Sequence, residues 1–374
     1  MISLGIFPEE LNSDDSIKSY GSFSLENEQI NVGLIEEEDL ELSNSSDPDN
    51  RVLVKKKAIS CNYRDKSLTF KYNKQVSDKM EMGVPSFSYI GSEFVGEVVD
   101  VGKNVSGFKI GDRVISNIAY PSYDPTYAGG LATNHGSRRI DDFYPNKLIK
   151  ISNKIPDEVA ACLSIAGFTA HSMVRKVVRP NIKVLVTAGR SSTSLAAISA
   201  LKNHPVEVYV MSSTDQNNNE LKELGATDVI MVNHDTDSYL PDIQKVIKDF
   251  TGFDAVIDPL FDIHLPKITE LMTYDSKYVT CGFYNQFPLF SKTSFEPRGK
   301  SFSEIITEVM TKNISLIGNC IGSYEDGIKA IKDCESGKFQ VVVDKVFSKG
   351  EESEFFDATY NFKEKFGKVV YRYD

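Results

Sequence analysis

A loop rich in hydroxyl side chains near the middle of the chain has residue types that suit anion binding. Residues 187–195 read TAGRSSTSL, after a strand-like stretch at residues 183–187 and before a helical stretch at residues 195–202. The first turn of a helix binds anions such as a pyrophosphate, because its backbone N–H groups and the helix dipole point at the ligand. The loop is therefore a candidate dinucleotide site, formed by Gly189, Arg190, Ser191, Ser192, Thr193 and Ser194.

Alternating strands and helices are predicted to position this loop. A helix is predicted to start at Pro156, because Pro and the acidic residues after it suit a helix N-terminus. Strand-like residues 206–211 and 228–232 flank the helical residues 219–224. Two more strands are predicted at residues 254–258 and 277–282, the second ending at Gly282. Strands that alternate with helices are typical of a doubly wound parallel sheet.

The first half of the chain is predicted to form a compact β structure. Residues 51–59 have strand composition, and residues 93–102 alternate apolar and polar side chains before ending on a glycine. A turn at Gly111 and Asp112 leads into another strand. Because 374 residues exceed one ordinary hydrophobic core, two domains of an α/β protein are expected.

Composition and charge exclude several classes of function. The net charge of −11 disfavours nucleic acid and anionic membranes as partners. No apolar run is long enough for a membrane span, and the first residues lack a secretory pattern, so a cytoplasmic protein is expected. The acidic residues 36–41 are interpreted as a solvated loop. Five scattered cysteines without a C-x-x-C pair favour reduced thiols over disulfides or a zinc cluster.

Five segments, in order, resemble the medium-chain dehydrogenase/reductase superfamily. They are residues 62–65 (NYRD), 91–102 (GSEFVGEVVDVG), 111–114 (GDRV), 166–170 (AGFTA) and 367–370 (GKVV). The resemblance implies a Rossmann domain at residues 163–312 inserted into a GroES-like catalytic domain. That catalytic domain would comprise residues 1–162, with an N-terminal extension, and a return at residues 313–374. It also implies an active site in the cleft between the domains, and a homodimer.

The resemblance also predicts that no catalytic zinc is present. In the zinc-dependent branch a Cys, a His and a second Cys or an Asp hold the metal, and the matching positions here are Asn62, Ser92 and Ala166. None of these has the thiolate, imidazole or carboxylate that zinc binds. A rearranged site with Cys61 and Glu93 would supply only two ligands. The NYRD form is similar to the quinone oxidoreductase and enoyl reductase branch, which reduces activated carbon–carbon double bonds.

Conjugate reduction requires stabilisation of an enolate and a proton donor. The resemblance points to Asn62, Tyr63 and Asp65, with Tyr63 as one candidate proton donor. Arg64 and Asp65 could equally form a structural ion pair. His135 is a second candidate donor because histidine titrates near neutral pH, although a lone histidine is more often structural.

The type of cofactor is predicted from the end of the second Rossmann strand. An acidic residue there favours NADH, whereas Ser212 and Ser213 stand at this place, so NADPH is favoured and NADH remains the alternative. The resemblance adds Thr169 and Gly282 to the cofactor site. Members of that superfamily usually have glycine at the positions of Ser191 and Ser194. A second interpretation is therefore that this loop has lost the ability to bind a cofactor.

Three functions remain open at this point. The N-terminal fifty residues, residues 132–137 (ATNHGS) and the glycine-poor loop resemble the dehydrogenase-type tailoring enzymes of lanthipeptide biosynthesis, which reduce dehydroalanine to D-alanine in a precursor peptide. The alternatives are a reductase of small quinones or enones, and a binding protein of the same fold without a cofactor.

Overall fold

The computed structural model describes residues 1–121, 129–284 and 298–373. The chain forms two compact units. Unit 1 comprises Met1–Ile165 and Val343–Asp374, and unit 2 comprises Ala166–Val342. The discontinuous arrangement agrees with the expected insertion of one domain into the other.

The strands of the described residues, in chain order, are β1 Ile2–Phe7, β2 Ile17–Leu25, β3 Glu28–Glu36, β4 Val52–Ser60, β5 Glu93–Val101, β6 Arg113–Ser116, β7 Ile140–Phe143, β8 Leu148–Lys150, β9 Lys183–Val186, β10 Glu207–Ser212, β11 Asp228–Met231, β12 Phe253–Asp258, β13 Met272–Thr280, β14 Ser315–Gly318, β15 Val343–Phe347 and β16 Lys368–Arg372.

The α-helices are α1 Asp65–Glu81, α2 Asp157–Val177, α3 Ser192–Leu201, α4 Asn218–Leu224, α5 Leu240–Val246, α6 Phe261–Ile268, α7 Phe302–Thr311, α8 Tyr324–Glu335 and α9 Glu352–Tyr360. No helix in the described part of the chain is long and apolar enough to cross a bilayer.

Unit 1 is built around a mixed sheet with the order β15-β16-β4-β5-β6-β8, and β7 also pairs with β4. Strand β4 is central because most of its side chains are buried, which requires packing on both faces of the sheet. Strand β16 pairs antiparallel with β4, with Tyr371 opposite Ile59. The last strand of the chain is therefore fixed beside the strand that leads to Asn62.

The N-terminal residues form a second sheet that sequence reasoning missed. Strands β1, β3 and β2 are antiparallel in that order, and Leu4, Ile30 and Val32 of this sheet belong to the main core of unit 1. Residue 36 ends β3 and residues 37–41 follow it; the segment is largely exposed, in agreement with its interpretation as solvated.

Helix α1 was also not predicted. Its sequence is rich in lysine and polar residues, and only Asp65, Thr69, Phe70 and Val76 are buried. Four buried positions in seventeen residues give a weak helical period, so the pattern is easily missed.

Unit 2 contains the predicted parallel sheet. Its six strands have the order β11-β10-β9-β12-β13-β14, and every pair in it is parallel. This order is that of a dinucleotide-binding Rossmann sheet. The candidate loop at residues 187–195, called the cofactor loop below, follows the first strand, β9. The α/β fold with a doubly wound sheet is thus confirmed.

The return to unit 1 lies later in the chain than the predicted residue 313. Strand β14 pairs in register with β13, with Ser315 opposite Lys277, so it extends the sheet of unit 2. Helix α8 also belongs to unit 2, and the crossing to unit 1 occurs at Val343.

Candidate active site and its relatives

A buried cluster of charged side chains lies where three strands of unit 1 begin or end. Glu93 opens β5, Lys368 opens β16, and Asn62 follows the end of β4. The Lys368 ammonium donates to Glu93 Oε1 at 2.7 Å and also to Asn62 Oδ1. Glu93 is fully buried and Lys368 is 4% exposed, so their ion pair is shielded from water.

The Asn62 amide is used at both ends. Its Nδ2 donates to Glu93 Oε1 at 2.9 Å and to Ser92 Oγ at 3.2 Å, while its Oδ1 accepts from Lys368. The second oxygen of Glu93 accepts from the Ile165 N–H at 2.9 Å. Asn62 therefore connects Lys368, Glu93 and Ser92 in one hydrogen-bonded cluster.

Asp65 forms the other half of the cluster. Its carboxylate accepts from the Asn62 N–H, the Ser92 hydroxyl and the Arg64 guanidinium, each at 2.8 Å. Burial raises the pKa of Asp65, and the charge of Arg64 opposes this rise. The structure thus shows the ion pair of Arg64 and Asp65 that the sequence left open as one alternative.

The two candidate proton donors lie outside this buried network. Tyr63 is 41% exposed. His135 is exposed, and its ring lies 5.9 Å from the Tyr72 ring and 6.2 Å from the Tyr89 ring. Partial removal from water lowers the pKa of His135, against a smaller raising effect of Asp141.

These residues do not fit a tetrahedral zinc site. Asn62 and Ser92, at two of the motif-matched ligand positions, are hydrogen-bonded to each other and offer only an amide and a hydroxyl. Burial raises the pKa of the Cys61 thiol well above its usual value, and Glu93 is committed to Lys368. In the described ranges, no group of three His, Cys, Asp or Glu side chains could hold a metal ion.

Lys56 holds the backbone of the His135 segment from inside unit 1. Its ammonium is fully buried, donates to the His135 carbonyl at 2.9 Å and lies 4.9 Å from the centre of the Phe94 ring. Burial lowers the pKa of Lys56 from 10.5 to about 8, although Asp141 opposes the effect.

This lowered pKa gives a pH-dependent stability. Between about pH 8 and pH 10.5 the unfolded chain binds a proton at Lys56 that the folded chain has released. The free energy of unfolding should therefore rise with pH across this window, by on the order of 3 kcal/mol from this group. Urea denaturation at several pH values should show this rise, and Lys56→Met should reduce it. The control Lys57→Met removes a neighbouring, half-buried lysine and should leave the pH dependence of the parent protein intact.

In unit 2 the cofactor loop connects β9 to α3. Ser191 is the N-cap of α3, and its hydroxyl accepts from the Ser194 N–H at 3.2 Å. The Ser194 hydroxyl donates to the Thr187 carbonyl at 2.7 Å. These two serines, which stand where the resemblance expects glycine, thus stabilise the helix start and the turn before it.

The backbone of the loop packs closely against β10 at Gly189, whose N–H donates to the Met211 carbonyl at 2.8 Å. A side chain at Gly189 would place Cβ 2.9 Å from the Met211 carbonyl oxygen and 2.3 Å from Val210 Cγ1. Ala188 has a positive φ of 46°, which is unusual for a residue with a side chain. Gly189 therefore fixes the loop on the sheet, and the start of α3 at Ser192 and Thr193 is the part that would fit a pyrophosphate.

A buried network beneath this loop was missed by sequence reasoning. The Asp258 carboxylate accepts from Thr187 Oγ1 at 2.6 Å, from the Tyr278 hydroxyl, and shares a hydrogen bond with His264 Nδ1 at 2.9 Å. Burial alone would raise the pKa of Asp258, but these partners hold it below its usual value. The signal was present in the sequence, since Asp258 ends a strand next to β9 in a parallel sheet.

The remaining residues predicted to bind the cofactor differ in their exposure and in their hydrogen bonds. Ser212 is 4% exposed, and its hydroxyl donates to the Thr214 carbonyl at 2.6 Å, so it closes a turn. Ser213 is exposed in the same turn. Thr169 is buried in α2, and the Gly282 carbonyl accepts from Thr280 Oγ1 at 3.1 Å. The Ser213 side chain is therefore accessible, whereas that of Ser212 is not.

Comparison with known proteins matches both units. The alcohol dehydrogenase GroES-like domain family matches residues 48–136, and the zinc-binding dehydrogenase family matches residues 193–336. The zinc-type alcohol dehydrogenase-like protein C1773.06c of Schizosaccharomyces pombe is 26% identical over 337 residues, which is 86% of this chain and 91% of the relative.

Two further relatives are named as reductases. The human quinone oxidoreductase is 25% identical over 194 residues, a match that spans 51% of this chain and 54% of the relative. The acryloyl-coenzyme A reductase of Sulfurisphaera tokodaii is 23% identical over 297 residues, covering 75% of this chain and 82% of the relative.

The family matches fall on both units, and the units have the discontinuous order and the parallel sheet that the five sequence segments imply. The chain belongs to the medium-chain dehydrogenase/reductase superfamily and is an oxidoreductase of that type.

Proposed function

We propose that this oxidoreductase uses NADPH to reduce an activated carbon–carbon double bond, without a catalytic zinc ion. The observation that supports this most strongly is the hydrogen bond between Asn62 and Ser92, which stand at two of the motif-matched zinc positions. Both are tied into the cluster of Lys368, Glu93 and Asp65. Alcohol oxidation in this superfamily depends on a metal that polarises the oxygen, and this donor set does not suit one.

Conjugate reduction is consistent with what the chain offers. A dinucleotide held at the start of α3 would supply a hydride for the β-carbon of the substrate. The chain must then stabilise the enolate oxygen and deliver a proton to the α-carbon. The Tyr63 phenol and the His135 imidazole are the two candidate donors, and the lowered pKa of His135 disfavours its protonated form.

The residues at the end of β10 are the reason for proposing NADPH rather than NADH. An acidic residue at this position would repel the 2′-phosphate of NADPH. The residues here are Ser212 and Ser213, which carry no charge, and Ser213 is exposed. Asp215 is exposed shortly after them, so NADH remains the alternative.

The class of alkene is the finer part of the proposal. An enone or an acryloyl thioester is the simplest substrate. Acryloyl-coenzyme A, which appears in the name of the Sulfurisphaera tokodaii relative, is such a thioester. The dehydroalanine of a lanthipeptide precursor, expected from sequence resemblance, has the same electron-poor double bond. Quinone reduction is the alternative that the name of the human relative suggests.

The test combines isotope labelling with a substrate panel. Purified enzyme is incubated with NADPH deuterated at C4 and with, in turn, an enone, an acryloyl thioester, a dehydroalanine peptide and a quinone. We expect turnover of at least one alkene, with deuterium at its β-carbon by mass spectrometry and NMR. Metal content is measured on the same sample by plasma mass spectrometry.

Alcohol oxidation with one zinc ion per chain would contradict the proposal. Turnover of the quinone alone would replace it by the quinone alternative. No binding of NADPH or NADH in a fluorescence titration would favour a binding protein that has lost its cofactor.

A further inference from the structure

A cavity of about 400 Å³ in unit 1 has a charge opposite to that of the whole protein. It is bounded by the start of β1, the middle of β4, the start of β7 and the end of β16. Its basic side chains are Lys55, Arg139, Lys349 and Arg372. The chain carries a net charge of −11, so four cations around one cavity are a local reversal of charge.

The acidic group of this cavity is already paired. Asp39 accepts from the N-terminal ammonium of Met1 at 2.6 Å, and this contact lowers the pKa of Asp39. Among the residues that the structure describes, Lys55, Lys349 and Arg372 have no carboxylate within salt-bridge distance. The cavity therefore has an excess of positive charge.

Arg139 is held in place before any ligand binds. Its guanidinium carbon lies 4.6 Å from the centre of the Tyr373 ring. Tyr373 is anchored in turn, because its hydroxyl donates to the Ser137 carbonyl at 2.5 Å and accepts from the Leu4 N–H at 3.3 Å. A stacked guanidinium loses less conformational entropy on binding an anion than a free side chain does.

We propose that this cavity binds a small polyanion, a molecule with at least two neighbouring phosphate or carboxylate groups. The volume suits a small molecule, since ligand pockets in proteins commonly measure about 300–1,000 Å³. Arginine and lysine at the same cavity are complementary to an oxyanion. A guanidinium can donate two parallel hydrogen bonds to it, and an ammonium group adds positive charge. None of the cluster residues Asn62, Asp65, Glu93 and Lys368 lines the cavity. The site is thus additional to the proposed reaction.

Calorimetric titration with two probes tests this site. Pyrophosphate represents phosphate ligands and citrate represents carboxylate ligands. Saturating NADPH is present throughout to occupy the loop before α3, and we then expect saturable one-to-one binding of at least one probe, weakened by added salt. Lys55→Gln and Arg372→Gln each remove an exposed cation, so the fold should be preserved. Each should weaken binding about tenfold or more, the effect of losing one charge-assisted hydrogen bond.

Two control variants locate the binding. Lys103→Gln removes an exposed lysine elsewhere in unit 1, and Arg190→Gln changes the cofactor loop. Neither should alter the affinity for the probe.

The outcomes separate the ligand classes. Preference for pyrophosphate or for citrate identifies the phosphate or the carboxylate class. Absence of binding by both probes, or equal weakening by Lys103→Gln, would overturn the proposal. Loss of binding only in Arg190→Gln would assign the anion to the cofactor loop and would also overturn it.

Discussion

Lys368→Met is expected to lower the free energy of unfolding by about 3–5 kcal/mol. The substitution leaves the Glu93 carboxylate fully buried without its ammonium partner, and it also removes the hydrogen bond to Asn62 Oδ1. A buried charge without compensation is strongly unfavourable because it has lost its hydration. Denaturation in urea, monitored by circular dichroism, measures the change.

Two further variants show whether the buried ion pair is the cause. Lys57→Met breaks the more exposed pair with Glu97, so it should change stability by about 1 kcal/mol or less. The double variant Lys368→Met with Glu93→Gln removes both charges and should recover a large part of the loss. A Lys368→Met protein as stable as the parent would refute the assignment of this pair as the centre of the cluster.

Gly189→Ala is expected to weaken NADPH binding roughly 100-fold or more. The new Cβ would lie 2.9 Å from the Met211 carbonyl oxygen, so the backbone of the cofactor loop must move. Moving the loop misplaces the N–H groups at the start of α3, and each lost charge-assisted hydrogen bond is worth about 1.5–3 kcal/mol. Fluorescence titration with NADPH gives the dissociation constants.

Gly318→Ala is the matched control in the same sheet. A Cβ at Gly318 meets no other atom within 4 Å, so this variant should bind NADPH like the parent. Thermal denaturation of both variants separates loss of binding from loss of folding. Unchanged affinity in Gly189→Ala would show that the dinucleotide does not use this loop.

The fold was predictable wherever the sequence pattern was local. Residues 183–187, 206–211 and 254–258 have the short apolar runs of buried parallel strands, and β9, β10 and β12 form there. The N-terminal sheet was missed because β2 exposes most of its side chains, which removes the apolar signal. Strand β14 was assigned to the wrong side of the boundary, since its pairing with β13 depends on contacts that no local pattern contains.

The candidate site was predictable in position but less so in role. The segment at residues 62–65 identified Asn62 and Asp65, which do lie together in the structure. The cluster that surrounds Asn62 also contains Lys368 and Glu93, which are distant in sequence and were not predicted as part of the site. The turn closed by the Ser212 hydroxyl likewise depends on the backbone conformation after β10, which residue type alone does not specify.

The ion pair of Glu93 and Lys368 also constrains the order of folding during synthesis. The two residues are 275 positions apart, and the whole of unit 2 lies between them. Unit 2 is continuous, so a ribosome completes it before Lys368 has been made. Until then Glu93 must remain hydrated or be held by another partner, and unit 1 cannot bury its central charge. The nascent chain should therefore fold its inserted unit first, and unit 1 should complete its core only after Lys368 has been made.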